Sequence, residues 1–334
     1  MAVPLIRTSE RGDFKECQWK WYHSWVLGLT TRRVPTWSWF GTAWHRAMEA
    51  RYPVGLKRGS LADMIDAFVE AIGEEQRRVW TAGGELDEEE VVDGKALGIA
   101  MLKAYVEHWG RDQHWQVLHT EQPFQIDVPH PVTGRLIAVY LGTWDLAVYD
   151  LLDKVYRIVD HKTRKAFKED WSFYDLNDQG GSYLWVAPEV LVHKGIITKK
   201  DTLDGITFNM AKKVMPDTRR TNRAGQALNL DGTVSKRQPA PAFARYTTYR
   251  SPSERVRQAE KVIAEARHMN AVRRGKLPML KNPREDCVRC PLFEMCQLDE
   301  KDPSEAQEYA RTMLVRRDPY ADHREAMERT GIAL

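Results

Sequence analysis

The chain has 334 residues, 43% of them hydrophobic, with a formal net charge of only +3 and a sequence pI near 8.5. That apolar content is ample for a sizeable core and excludes a chain that is disordered overall. The near-balanced charge excludes a uniformly basic, histone-like protein and leaves room for a local basic surface.

Residues 8 to 29 place Phe14, Cys17, Trp21, Trp25 and Val26 at helical spacing behind a candidate cap at Ser9. This predicts one early helix with Cys17 on its buried side. After a loop with Pro35, a second helix is predicted from Trp39 to Arg51, holding Gly41, His45 and Glu49. Residues 61 to 80 and 94 to 110 read as amphipathic helices separated by an acidic surface stretch, ELDEEEVVD, at 85 to 93. Near Val117 the pattern turns to strand. VLHTEQPFQIDV, a turn at His130 to Gly134, RLIAVYLGTWDLAVYD and KVYRIVDHKT predict an antiparallel meander of three strands. Residues 171 to 194 return to helix, with Gln179 and Tyr183 one turn apart on one face. GITFNMAKK and FARYTTYRS predict two more strands across a Gly, Pro and Arg-rich loop. The basic residues over 212 to 250, among them Lys212, Lys213, Arg219, Arg220, Arg223, Lys236, Arg237, Arg245 and Arg250, are interleaved with Phe243, Tyr246 and Tyr249 and have the makeup of part of a strand-binding channel. A charged helix at 253 to 274 leads into a cysteine-rich segment. No apolar run approaches a membrane span and the N-terminus lacks a signal-peptide layout, so a soluble cytoplasmic protein without a membrane partner is expected.

Chemistry concentrates in residues 141 to 163, LGTWDLAVYDLLDKVYRIVDHKT. A hairpin turning at Leu152-Asp153 sets Asp145 opposite Asp160, with Lys162 on the same face as Asp160. Trp144, Leu146, Val148, Val155 and Val159 fill the other face, so the strands are expected to be central in their sheet. Two facing carboxylates there are destabilising unless something cationic lies between them; a divalent metal together with Lys162 resolves the conflict. The plain alternative is an ordinary Asp160–Lys162 ion pair beside a hydrogen-bonded Asp145. Glu121, on the preceding strand, can reach the same place.

The second concentration is CVRCPLFEMC, in which Cys287-x-x-Cys290 is followed by Cys296. Three clustered thiolates need a fourth for a tetrahedral metal or a cubane, and Cys17 is the remaining cysteine. Such a clamp would fasten the two ends of the chain together. Spacing alone leaves zinc and iron-sulfur both open.

GTAWHRAMEA around His45, LGTWD ending at Asp145, VDHKT from Asp160 to Lys162, and QGGSY from Gln179 to Tyr183 together resemble the PD-(D/E)XK nuclease superfamily, in its RecB-like branch. The resemblance covers about residues 9 to 300. It implies an α/β fold: a restriction-endonuclease-like mixed sheet flanked by helices, with a helical N-terminal region and a C-terminal cysteine segment. The organisation expected is a helical region over 1–116, a nuclease core over 117–252, and a segment over 253–334 that packs with 1–30. The resemblance further implies that His45, Asp145, Asp160 and the backbone carbonyl of His161 bind magnesium or manganese. Lys162 would then orient or deprotonate the attacking water, and Gln179 and Tyr183 would contact the DNA backbone. His161 replaces the acidic middle residue of the superfamily's name, which leaves the carboxylate count low and gives His45 more weight.

The cysteine pattern resembles the iron-sulfur nucleases of the AddB type and the CRISPR-associated Cas-four exonucleases. It implies a structural [4Fe-4S] cluster on Cys17, Cys287, Cys290 and Cys296, with zinc as the alternative. The expected activity is a metal-dependent exonuclease acting on DNA ends or single strands. Without a Walker A motif the chain carries no helicase motor of its own, so it resembles stand-alone, often phage-encoded members that work with recombination or replication proteins. The competing readings are a non-catalytic, zinc-stapled nucleic-acid binding module and an electron-transfer protein using the cluster.

Overall fold

The computed structural model describes residues 3–167 and 170–329. Strand β1 (Leu5–Arg7) runs directly into helix α1 (Thr8–Glu16), whose N-cap is Arg7 with no side-chain cap; Ser9 already lies inside the helix. The predicted single early helix is broken. Cys17 is extended, at φ −161°, and helix resumes as α2 (Gln18–Trp21), followed by a π-turn at Tyr22–Val26. The break has a tertiary cause: Trp19 N–H donates to the Leu280 carbonyl, and Leu280 N–H donates to the Gln18 side chain. Cys17 therefore sits half-buried at a junction between helices, not on a helix face.

After β2 (Leu29–Thr31) come α3 (Thr36–Arg51), α4 (Leu61–Thr81) and α5 (Glu88–Trp109). The acidic stretch at 85 to 93 is largely the start of α5. Asp87 caps it by accepting from Glu90 N–H at 2.9 Å, and Glu88, Glu89 and Glu90 fill the first turn, where carboxylates oppose the positive end of the helix dipole. These helices approach closely because α5 offers glycine at the contacts. A Cβ on Gly98 would lie 2.1 Å from Phe68, and one on Gly94 2.3 Å from Trp39.

The sheet begins with β3 (Trp115–Pro129), β4 (Leu136–Asp150) and β5 (Val155–Arg164). Then come α6 (Asp178–His193), capped by Asn177, and β6 (Leu203–Lys212) and β7 (Phe243–Tyr249). Helix α7 (Pro252–Arg273) starts in a capping box of Ser251 with Glu254. The chain finishes with α8 (Phe293–Lys301), α9 (Pro303–Met313), β8 (Leu314–Arg316) and α10 (Ala321–Arg329). The strand order is β1-β4-β5-β6-β7, with β3 on the other edge of β4. Parallel pairs (β1 with β4, β5 with β6) alternate with antiparallel ones, so the sheet is mixed. A separate antiparallel pair joins β2 to β8. No helix among the described residues is long and apolar enough to cross a membrane.

One face of the sheet packs against α1, α6 and α7 around Phe124, Trp144, Ile158, Leu184 and Phe208. The other packs against α3, α4 and α5 around Trp44, Phe68, Leu146, Val148 and Val159. Trp144 thus lies on the face opposite to Leu146 and Val148, contrary to simple alternation. The phase slips beside Glu121, a non-glycine residue at φ +43°, which falls between the pairs Thr120↔Leu146 and Gln122↔Trp144. The architecture is a restriction-endonuclease-like mixed α/β sheet flanked by helices.

Candidate active site

Strand β3 occupies one edge of β4 along its length, while two partners share the other edge. Residues 139–141 pair with β1, and 146–150 pair with β5. The β4–β5 ladder runs from Asp150↔Val155 to Leu146↔Val159, the register expected for a turn at Leu152-Asp153, and stops one step short of Asp145 and Asp160. Beyond that point β5 pairs only with β6, from Asp160↔Phe208 to Arg164↔Lys212. The strands thus part in a fork, with Asp145 on one prong and Asp160 and Lys162 on the other.

Side chains take over where the ladder ends. The Asp145 carboxylate accepts the His161 backbone N–H at 2.5 Å through one oxygen and faces His45 Nδ1 at 3.1 Å through the other. Burial alone would raise the Asp145 pKa, but His45 and the cations beyond it outweigh that and hold it down at about 2. Burial likewise disfavours charge on His45, yet Asp145 and then Glu121 push it up to about 9. Asp160 moves the opposite way: burial raises its pKa against the pull of Lys162, whose ammonium is 2.7 Å away, and the Asp145 charge adds to the rise. Asp160 Oδ2 has no aligned hydrogen-bond donor despite that ion pair. The two neighbouring acids are thus pushed in opposite directions, which makes the pair a candidate functional site.

Glu121 completes the cluster. One ligand atom each from His45, Glu121 and Asp145 lies within 4.8 Å of the others, the one such group of three among the described residues. With the buried Asp160 carboxylate nearby this is an imidazole-plus-carboxylate set suited to a hard divalent cation. Glu121 takes a left-handed φ of +43° at this point of β3, a conformation that non-glycine residues seldom adopt. Sequence reasoning gave Glu121 little weight, because it sits in a polar run, His119-Thr120-Glu121-Gln122, where an acid is unremarkable.

His161 lies on the far side of its strand. Its ring is buried, stacks on Tyr52 at 5.6 Å and faces the Asn209 amide at 2.9 Å, and burial drives its pKa down to about 3. It is a neutral core side chain whose backbone serves the fork. Behind it Asn209 also bonds Tyr105 and Arg245, and Arg245 is held by Asp112 between the rings of Trp109 and Trp115, 3.8 Å from each. Nothing in the sequence pattern indicated this support. It removes Arg245 from the basic surface expected over 212 to 250, and Arg219 is likewise engaged by Asp217, Ser235 and Arg237.

Gln179 and Tyr183 reach the fork from α6. Gln179 Nε2 donates to the Tyr183 hydroxyl at 2.8 Å, and that hydroxyl donates to the Thr143 carbonyl at 2.6 Å, in the stretch of β4 that neither β1 nor β5 covers. Burial, then the charges of Asp160 and Asp145, raise the Tyr183 pKa well above its ordinary value. The Tyr183 hydroxyl is thus committed to the protein, while Gln179 remains partly exposed.

The four cysteines come from both ends of the chain and are free and half-buried. Cys17, Cys290 and Cys296 pack around Trp19, Leu292 and Met295. Burial raises the Cys290 and Cys296 thiols, and Cys17 adds to both rises, with Cys287 adding to that of Cys290. The ends are also tied without sulfur: Arg284 pairs with Glu16, Asn282 donates to the Glu16 carbonyl, and Trp19 Nε1 donates to Asp299 at 3.0 Å.

A forked mixed sheet with Asp145, Asp160 and Lys162 at the parting of two central strands defines a class of phosphodiester-cleaving proteins. The profile of the PD-(D/E)XK nuclease superfamily matches residues 9–297, and the chain belongs to that superfamily. Its members use divalent metals. Among solved structures it is similar to a candidate exonuclease from Eubacterium rectale, at 12% identity over 85% of this chain and 87% of the other, with a TM-score of 0.42. It is also similar to the protein SSO0001, at 12% identity over 79% and 85% of the two chains, with a TM-score of 0.28. No curated protein sequence matches it significantly.

Proposed function

We propose that this nuclease is a RecB-like, divalent-metal-dependent deoxyribonuclease that works as an exonuclease on DNA ends or single strands. The observation that carries the reading is the fork, where His45, Glu121 and Asp145 converge beside the buried Asp160 carboxylate and its ion pair with Lys162. In this reading His45, Asp145, Asp160 and the His161 carbonyl hold magnesium or manganese, and Glu121 joins them. The bound cation would supply a water acidic enough to attack near neutral pH and a charge to oppose the developing phosphorane. The chain's own groups do the rest. Asp145 holds the His161 peptide and so the start of the second prong. The Lys162 ammonium, anchored by Asp160, donates to the attacking water or to a non-bridging phosphate oxygen. Gln179 contacts the strand backbone, and Tyr183 fixes Gln179 and Thr143 behind it. A [4Fe-4S] cluster on Cys17, Cys287, Cys290 and Cys296 staples the ends, in keeping with a phage-type, stand-alone protein of the cytoplasm that serves recombination or replication partners. The helical region over 1–116, the core over 117–252 and the segment over 253–334 are proposed as its working divisions.

End-labelled DNA with manganese tests the reading directly. Wild type should shorten the label progressively, and Lys162→Ala, assayed below its own melting temperature, should cut the rate roughly 10²- to 10³-fold. Cleavage that survives in Lys162→Ala would refute the assignment.

Metal uptake should also depend on pH. A ligating imidazole must be neutral, whereas His45 beside Asp145 stays protonated up to about 9. Manganese affinity should therefore rise with pH up to that point, by at most about tenfold per unit. Calorimetry in buffers of different ionisation enthalpy should detect close to one proton released per ion at neutral pH. In the metal-free protein the sign reverses: the stability that His45 gains from its raised pKa is full below its ordinary value and is lost as pH passes about 9.

A further inference from the structure

A row of three polar side chains crosses the sheet beside the fork. His161 of β5 pairs in register with Asn209 of β6, and Asn209 pairs with Arg245 of β7. All three lie on the face that packs against α3, α4 and α5, where their neighbours along the strands are Val159, Ala211 and Phe243. Buried polar groups cost stability unless every one is satisfied, and apolar residues of similar volume fill such a row without that cost. What the polar row adds is direction, since planar groups with fixed donors and acceptors set one another's angles.

Arg245 carries only donors, so its Nε, 3.2 Å from Asn209 Oδ1, fixes which way the amide points. The Asn209 nitrogen is then left to donate to His161 Nδ1 at 2.9 Å and to the Tyr105 hydroxyl at 2.6 Å. His161 Nδ1 is therefore an acceptor, and the ring proton lies on Nε2. Nε2 has no partner among the described residues, so Asn209 is the polar anchor of the ring. Arg245 is itself held. Asp112, at φ +47° between α5 and β3, accepts from its Nη1 at 2.9 Å, and Trp109 and Trp115 keep the guanidinium between them. The clamp also takes in the end of α3, because the Tyr52 hydroxyl donates to Asp112 at 2.6 Å while its ring stacks on His161. The helix that carries His45 and the strand that carries Asp160 and Lys162 are thus set by one group of side chains.

We infer that Asn209, held by Arg245 and Asp112, is a positioning residue for the site at the fork. By fixing the His161 ring it fixes the His161 peptide, whose N–H donates to Asp145 and whose carbonyl is, in the nuclease reading, a metal ligand. The inference rests on that reading for the ligand, whereas the setting of the peptide can be measured without metal. Asn209→Leu removes the anchor, His161→Phe keeps a ring on Tyr52 without its acceptor, and the two are also combined. Thr207→Val is the control, because the Thr207 hydroxyl bonds Thr247 at 2.8 Å on the same strand and face, two residues before Asn209. Every protein is measured below its own melting temperature.

In EDTA, hydrogen exchange at the His161 amide, followed by NMR relative to the Ile158 amide of the same strand, should quicken at least about tenfold in Asn209→Leu and in His161→Phe, and by less than about twofold in Thr207→Val. Manganese affinity at neutral pH, measured by calorimetry, should fall roughly 10- to 100-fold in either variant and no further in the combination, because both remove one contact. A residue that only supports the fold lowers the melting temperature, as Thr207→Val should, without moving either readout. Wild type that binds no manganese counts against the nuclease reading, and exchange at His161 then decides the positioning by itself. The proposal is overturned by unchanged exchange in Asn209→Leu, by unchanged affinity in that variant where wild type binds manganese, or by additive losses in the combination. Should Asn209→Leu fail to fold, His161→Phe decides, and unchanged exchange and affinity there overturn the proposal equally.

Discussion

Asp160→Asn should abolish cleavage, by about 10³-fold or more, and leave the metal-free protein as stable as wild type or more so. Asp145→Asn should abolish cleavage and destabilise. From sequence the two carboxylates were equivalent, facing each other in an apolar sheet, and relief of repulsion by either change was the expectation. The structure separates them. Asp145 is satisfied by His45 and the His161 N–H, and its pKa is held down at about 2. Removing its charge leaves His45 facing a neutral amide, a loss of about 2 kcal/mol. Asp160 has its pKa raised by burial and keeps an oxygen without an aligned donor, so its negative form is the strained one, and Lys162 is exposed enough to turn to water. The pH dependence follows. A raised carboxyl pKa costs stability as pH climbs above the ordinary carboxylate range, so the Asp160→Asn advantage should vanish below about pH 4. A lowered one contributes stability above that range and loses it as pH falls toward about 2, so the Asp145→Asn penalty should shrink in acid. Chemical denaturation in EDTA at several pH values measures both, and a matching response of the two variants would contradict the geometry.

What was legible followed from periodicity and order. The β4–β5 register could be read because alternation and turn length fix it together, and the order His45, Asp145, Asp160-x-Lys162, Gln179-x-x-x-Tyr183 indicated the superfamily. The rest depended on contacts between distant segments. Cys17 was placed on a helix because its neighbours have helical spacing, but pairing of residues 18 and 19 with Leu280 pulls the backbone extended there. Trp144 was assigned by strict alternation, which fails where Glu121 takes a left-handed φ. Arg245 looked like part of a basic surface because its charge shows in the sequence, and the two tryptophans and the aspartate that enclose it come from more than a hundred residues upstream.

Cys17→Ser should lower the melting temperature by roughly 10 °C and remove a broad absorbance band near roughly 400 nm from anaerobically purified protein. Cys17 and Cys287 lie near opposite ends of the chain, so a cluster joining them closes a loop that spans most of it. Releasing such a loop returns about 4–5 kcal/mol of chain entropy to the unfolded state. The loss is partial because Glu16, Gln18 and Trp19 keep their own ties to residues 280 to 299. Activity should fall with stability, and the path is specific. Cys17 directly follows α1, whose buried Arg11 holds Glu265 at 2.5 Å and Asp178 at 3.1 Å, and Asp178 immediately precedes Gln179. Burial and then Arg11 affect Asp178 in opposite senses, and the cations win, keeping its pKa far below the usual range. Loosening α1 therefore disturbs the residue proposed to contact DNA before it disturbs Asp145 or Lys162. In Cys17→Ser, KM for DNA should rise more than kcat falls, and hydrolysis of a small phosphodiester should persist below the new melting temperature. Absence of the band in wild type, with stoichiometric zinc in its place, would transfer the staple to zinc and leave the mechanical argument standing. An unchanged melting temperature would remove the staple altogether.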